Sequence, residues 1–214
     1  MKKVLAFFGA FNPPTNAHIN LAEHAMKETG SEGVVFVPSK GDYIIDEQKK
    51  EYAFEDSFRL EMLNDIKINR PWMDVCDHDI KNEKQPRTYE TLCYLKEQDV
   101  EPTLLIGSDI LFKMEKEWVN VDKIAQEFGI VCMTRWNSEE DAKKNPFISS
   151  IFPYIKFIES PKEYEYISST SVRNECDASL KHWANVCYAV PQEVAAHLLK
   201  DFADVFLKGE SHDS

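Results

Sequence analysis

Gly9-Ala10-Phe11-Asn12-Pro13-Pro14-Thr15-Asn16-Ala17-His18 decides the fold of this 214-residue chain. An apolar run, Val4 to Phe8, precedes it, and a helical pattern, Ile19 to Met26, follows. The order is strand, glycine-and-proline turn, helix. Pro13 and Pro14 lock the turn, and Thr15 or Asn16 is placed to cap the helix. Gly9 leaves room for backbone to approach a ligand. His18 then stands in the first helical turn, where converging amides make a ready anion site. Taken alone, the same residues fit a surface histidine at a helix start equally well. His24 is a contrast: six residues on, roughly 240° round the helix, it faces elsewhere and takes no role.

A second stretch, Ile167-Ser168-Ser169-Thr170-Ser171-Val172-Arg173, also opens a helix. Ser and Thr before a helix are ordinary caps. Arg173 is less ordinary, because a cation in a first turn opposes the helix dipole. An anion at that end removes the conflict. Hydroxyls, amides and a guanidinium fork at one helix N-terminus suit a polyphosphate.

Outward from these stretches, apolar runs alternate with helical periodicity. Strands are expected at Val4–Phe8, Val34–Val37, Trp72–Cys76, Thr103–Ile106, Ile130–Thr134 and Tyr154–Ile158. Helices are expected over 17–29, 54–68, 88–98, 119–127, 170–175 and 191–204. This alternation predicts an α/β fold, a doubly wound parallel sheet with helices on both faces, in a single domain spanning 1–214. Ser138–Asn145 reads as an exposed loop or short helix and Lys208–Ser214 as a frayed tail. The chain has only seven glycines, so their places carry information. Gly9, Gly41 and Gly107 fall at or just past strand ends, and Arg135 and Ser168 also follow strands. Ligands of doubly wound sheets bind beyond the carboxyl ends of the strands, where strand order reverses.

The net charge is −12, with no basic run to offset it. Such a surface repels nucleic-acid phosphates, so an anionic ligand needs a few local cations, amides or a metal. No apolar run approaches the ~18 residues of a transmembrane helix, and the N-terminus lacks a signal-peptide core. Five cysteines, an odd and widely spaced set without a C-x-x-C pair, fit neither a zinc site nor a disulfide framework and favour a cytoplasmic location. Asp77-His78-Asp79, with no partner histidine nearby, is expected to be a polar loop at a strand end and not a metal site. P-loop, dinucleotide-binding and G-x-S-x-G patterns are absent. Gly107-Ser108-Asp109 only superficially suggests a hydrolase elbow.

The two stretches resemble the paired signatures of the nucleotidylyltransferase superfamily, whose members join a nucleotide to a phosphate acceptor and release pyrophosphate. Most members carry histidine, less often threonine, at the first motif position; here it is Thr15. Within the superfamily the chain is similar to the nicotinate and nicotinamide mononucleotide adenylyltransferases. Phosphopantetheine adenylyltransferases also use threonine there, so other segments choose. Pro38-Ser39-Lys40-Gly41-Asp42 resembles the former family's loop after strand two, and Arg87-Thr88-Tyr89-Glu90-Thr91-Leu92 its helix start at the pyridine pocket. Leu104-Leu105-Ile106-Gly107-Ser108-Asp109 with Trp118 resembles its G-x-D…W element, and Ile130 to Arg135 the strand after it. Three departures stand out. Gly9-Ala10 replaces the glycine pair of many bacterial members, Asn12 stands where many have aspartate, and the aromatic after strand three has His78 as its nearest match.

The resemblance implies a Rossmann-like fold and adenylyl transfer from ATP to nicotinate mononucleotide. Nicotinamide mononucleotide, both mononucleotides or another acceptor such as pantetheine phosphate are the alternatives. It implies His18, Thr15 and Arg173 as catalytic residues. Gly9, Ala10, Phe11, Ser169 and Thr170 would join His18 and Arg173 in binding ATP. Lys40, Thr88, Gly107, Asp109, Trp118 and Arg135 would bind the mononucleotide, with Asp109 on a ribose hydroxyl and Trp118 on the pyridine. As a half-buried aromatic, Trp118 also fits the core. Mg²⁺ would accompany the triphosphate, with no metal site of the protein's own. Association into a homo-oligomer is left open.

Overall fold

A computed structural model describes residues 1–134, 138–164, 166–177 and 183–209. Six strands form one parallel sheet in the order β3-β2-β1-β4-β5-β6. They are β1 (Lys2–Gly9), β2 (Gly33–Pro38), β3 (Met73–Val75), β4 (Val100–Gly107), β5 (Ile130–Thr134) and β6 (Ile155–Glu159). All six match expected strands. The order reverses between β1 and β4, so a crevice opens beyond their carboxyl ends.

Side chains alternate across the sheet, as the period of two requires. Leu5, Val34, Phe36, Leu105, Val131 and Met133 face one core cluster, with residues of α1 (Asn16–Thr29), α3 (Asp56–Ile68) and α13 (Gln192–Gly209). Val4, Ala6, Val35, Val37, Leu104, Ile106, Ile130 and Cys132 face the other, with residues of α5 (Thr88–Glu97) and α8 (Val121–Phe128). Both faces of a parallel sheet must be covered, and here both are.

Short elements absent from the expectation fill the connections. They are α2 (Gly41–Asp46), α4 (His78–Lys81), α6 (Ser108–Leu111), α7 (Met114–Glu117), α10 (Pro146–Ile151) and α12 (Trp183–Ala189). Periodicity cannot register in four to seven residues. The 138–145 segment forms α9 (Ser138–Lys144), closed by Asn145, whose side chain caps α10 through the Ile148 amide at 3.1 Å. The expected tail is corrected at its start: α13 continues through Lys208 to Gly209, and residues 210–214 lie outside the described part. No helix among the described residues is long and apolar enough to cross a membrane.

Candidate active site

The first turn of α1 is built by Thr15. Its hydroxyl accepts from the His18 amide at 3.4 Å, and its own amide donates to His18 Nδ1 at 3.1 Å. Two cap positions are thus satisfied reciprocally, with histidine in the place usually taken by Glu or Gln. This exchange fixes the imidazole tautomer. An amide can only donate, so Nδ1 is the acceptor, and in the neutral ring the proton sits on Nε2. The Thr15 hydroxyl, 2.8 Å from Nδ1, reinforces the assignment.

The ring of His18 packs edge-on to Phe11, with centroids 5.2 Å apart, and against Phe7 at 6.2 Å. Burial among these groups lowers its pKa to about 4. His18 is therefore neutral at pH 7 and presents an Nε2–H donor at a helix start. Thr15 itself is fully buried. This corrects the expectation that it assists directly at phosphate: its polar groups are engaged with His18, which it positions.

The glycine turn also differs in detail. A Cβ on Gly9 would lie 3.0 Å from the tip of the Phe11 ring. The room left by Gly9 is thus taken by that ring and not by an approaching backbone. Phe11 is 1% exposed at φ 44, so its side chain belongs to the core. Asn12 is buried and spans to the loop before α3, donating to Tyr52 O and accepting from the Phe54 amide, both at 2.8 Å.

Helix α11 (Ser169–Asp177) docks onto this turn. Ser169 Oγ donates to Pro13 O at 2.8 Å, and Arg173 Nη1 donates to Asn12 O at 2.5 Å. Ser168 caps the helix: its hydroxyl accepts from the Ser171 amide at 3.0 Å, and Ser171 Oγ accepts from the Ser168 amide at 3.1 Å. The helix starts at Ser169, one residue before the expected 170, so Arg173 is its fifth residue and lies just beyond the first turn. The dipole conflict is weaker than expected. Arg173 still returns to the helix start, where its Nη2 lies 3.3 Å from Thr170 Oγ1. The amides of Ser169 and Thr170, at the first two helical positions, have no intrahelical acceptor.

Under the turn lies a residue that the sequence reading missed. Arg59 is fully buried and donates to Ala10 O at 2.7 Å, Ser39 O at 2.6 Å, Phe54 O at 3.1 Å and Asp56 Oδ1 at 2.5 Å. It ties the loops after β1 and β2 to α3. Burial pushes its pKa down, and the hydrogen bond and charge of Asp56 oppose that shift. A signal was present: Arg59 shares the i, i+3, i+4, i+7 stripe with Met62, Leu63 and Ile66, all buried.

The candidate acceptor residues occupy the neighbouring loops. Gly107 ends β4, and Asp109 follows on α6, exposed at the carboxyl edge. A Cβ on Gly107 would meet Asp109 Oδ1 at 2.6 Å, so glycine is what allows this carboxylate position. Lys40 caps α2, and its Nζ donates to Ile80 O and Asn82 O, both at 2.9 Å. Thr88 begins α5, half-buried. Trp118 ends α7 and packs half-buried against the second core cluster. Arg135 lies outside the described residues. The 77–79 segment is not the expected polar loop. It enters α4, with Asp77 paired to Lys81 at 2.7 Å and Asp79 buried. His78 stacks on Tyr94, with ring centroids 3.9 Å apart. His24, away from the site, meets Glu159 O at 3.0 Å. Among the described residues no group of three His, Cys, Asp or Glu is placed to hold a metal ion.

Strand order, an anion-ready histidine turn and a second helix start docked on it define an α/β protein of the doubly wound class with its candidate site at the strand-order reversal. The comparisons carry this further: the cytidylyltransferase-like family matches residues 6–175, and the chain belongs to that family. A relative from Clostridium novyi (strain NT), named "Probable nicotinate-nucleotide adenylyltransferase", is 28% identical over 199 residues, 90% of this chain and 94% of the relative. A solved structure of Plasmodium falciparum nicotinic acid mononucleotide adenylyltransferase complexed with NaAD is similar in fold, with TM-score 0.72 and 18% identity. The match covers 94% of this chain and 96% of that one. The same protein complexed with APC matches with TM-score 0.71, 18% identity and the same coverage.

Proposed function

We propose that the chain transfers the adenylyl group of ATP to nicotinate mononucleotide, giving deamido-NAD and pyrophosphate. The observation that carries this reading is the docked pair of helix starts. A neutral imidazole with its Nε2–H available stands on α1, and α11 is held beside it by Arg173 and Ser169. The names and fold of the similar proteins support it.

The chemistry asks little of the protein beyond positioning and charge stabilisation. A phosphate oxygen of the mononucleotide, already ionised at pH 7, attacks the α-phosphorus. The bond from that phosphorus to the α–β bridging oxygen breaks, and pyrophosphate leaves with the electron pair. No general base is needed. His18 donates from Nε2 to the oxygens of the phosphoryl group in transfer, where negative charge accumulates. The α11 amides at Ser169 and Thr170 and the Arg173 fork hold the β- and γ-phosphates.

Mg²⁺ would accompany the triphosphate and would supply charge neutralisation there, beside the α11 amides and the Arg173 fork; no side chain of the chain is assigned to hold it. Asp109 accepts from a ribose hydroxyl. Thr88 meets the pyridine carboxylate, Trp118 stacks on the ring, and Lys40 and Gly107 complete that side; the role expected of Arg135 falls outside the described residues. A cytoplasmic location goes with this reading.

The structure bears on acid against amide. Negative charge near the ring would oppose a carboxylate. Asp77 is paired with Lys81, and Asp79 is engaged by two neutral donors, Thr91 Oγ1 at 2.6 Å and Gln85 Nε2 at 2.5 Å. Asp77 is thus neutralised and Asp79 is buried away from a ligand, while Asp42 stays exposed on α2; the preference for nicotinate mononucleotide rests on the α5 start, where Thr88 opens the helix. The test compares kcat/KM for the two mononucleotides at one Mg-ATP concentration. A clear preference for the acid is expected. Equal values or an amide preference would overturn the acceptor, and no dinucleotide from either would overturn the activity.

A further inference from the structure

Three segments beyond the carboxyl ends of the strands are joined by one directed chain of hydrogen bonds. The Lys40 amide, at the start of α2, donates to Gln85 Oε1 at 2.7 Å. Gln85 Nε2 donates to Asp79 Oδ2 at 2.5 Å. Thr91 Oγ1, on α5, donates to Asp79 Oδ1 at 2.6 Å. The Lys40 ammonium closes the loop from the other side by donating to Ile80 O and Asn82 O. Asp79 is 1% exposed and Thr91 0%.

The direction is forced. A main-chain amide cannot accept, so Gln85 must turn its oxygen to Lys40. Its nitrogen then faces position 79, which must supply an acceptor. A buried carboxylate is costly without hydrogen bonds, and this one is satisfied only when Gln85 and Thr91 are both in place. The loop after β2, the α4 turn and the start of α5 therefore hold one another in register.

We infer that the Lys40–Gln85–Asp79–Thr91 relay is a positioning device for the acceptor half of the site. It sets the spacing between the Lys40–Gly41 loop and the α5 start that carries Thr88. The relay's own contacts lie between the α2 start, the α4 turn and α5, whereas the same loop reaches the His18 turn only through Ser39, Gly41, Asp56 and Arg59, so the larger effect of the relay falls on the mononucleotide. The inference rests on the adenylyl-transfer reading above for its substrate.

The variants follow from the donor logic. Gln85→Leu strands the Lys40 amide and removes one donor from Asp79; Gln85 itself is half-buried and Thr91 still serves Asp79, so the fold is expected to survive. Asp79→Asn keeps an acceptor for Gln85, and the Thr91 hydroxyl can rotate to accept from the new amide. In Gln85→Leu, KM for nicotinate mononucleotide should rise about five- to tenfold, as for loss of a buried hydrogen bond. KM for ATP and kcat should stay within about twofold, and the Lys40 amide should exchange faster with solvent deuterium. Asp79→Asn should stay close to wild type in all three. Equal movement of both KM values, no movement of either, or a damaged Asp79→Asn would overturn the inference. If the wild-type protein makes no dinucleotide, the adenylyl-transfer reading fails instead. The relay is then judged by exchange alone, and an unchanged Lys40 amide in Gln85→Leu overturns it.

Discussion

Arg173 Nη1 donates to the carbonyl of Asn12 at 2.5 Å, a contact between residues 161 positions apart. Asn12 in turn grips Tyr52 O and the Phe54 amide with its side chain. The guanidinium therefore locks α11 against the His18 turn while its Nη2 stays at the helix start beside Thr170 Oγ1. Arg173→Lys keeps the charge but loses the fork. KM for ATP should rise and kcat should fall, together by about 10- to 100-fold in kcat/KM, which steady-state assays measure. Unchanged values would remove α11 from the triphosphate site.

His18→Ala should lower kcat about 10²–10³-fold, as for loss of one donor to a developing oxyanion. ATP binding, followed by calorimetry, should change far less. Turnover near wild type in this variant would exclude the proposed donor role of Nε2.

The same histidine shapes acid stability. Its pKa is about 4 in the folded chain against an ordinary 6.5. Between those values the unfolded chain binds more protons, so stability rises with pH through that window. It is complete above pH 6.5 and falls as acid is added, levelling off below pH 4. The contribution is about 3 kcal/mol over the whole window, of which about 2–3 kcal/mol is lost by pH 4.5. In urea titrations at pH 4.5 and 7.5, wild type minus His18→Gln should show this difference. A pH-independent difference would mean that the imidazole is not desolvated.

Arg59→Lys should be among the most damaging conservative changes in the chain. Three ammonium donors from one point replace a fork that serves four acceptors, so at least one of Ala10 O, Ser39 O, Phe54 O and Asp56 Oδ1 loses its donor, and the buried charge stays. A loss of ~3 kcal/mol or more is expected from denaturant unfolding. A loss below ~1 kcal/mol would show that the loops hold their positions without it.

Gly107→Ala separates activity from stability. The added methyl meets only the far end of the Asp109 side chain, which can swing aside, so unfolding free energy should change by less than ~1 kcal/mol. The displaced carboxylate should raise KM for the mononucleotide several-fold. A variant with full affinity would exclude Asp109 from the ribose contact.

Local order fixed much of this protein from the sequence alone. Six apolar runs and the helical segments between them suffice for a doubly wound sheet, because side-chain period and burial are properties of neighbouring residues. Pro13, Pro14 and Thr15 likewise mark the start of α1, since cap chemistry acts within four residues. Tertiary structure decided what no window of sequence contains. Phe11 and Thr15 sit inside signature segments, yet packing buries both side chains, Phe11 against the His18 ring and Thr15 with its polar groups spent on His18. Asp79 was legible as polar but not as buried, because Thr91 and Gln85 reach it only once α4 and α5 pack together. Arg59 left a trace on the apolar stripe of α3, but its carbonyl partners come from loops that meet only in the fold. Hydrogen bonds between distant segments have no sequence period; they exist when the sheet order brings those segments to one edge.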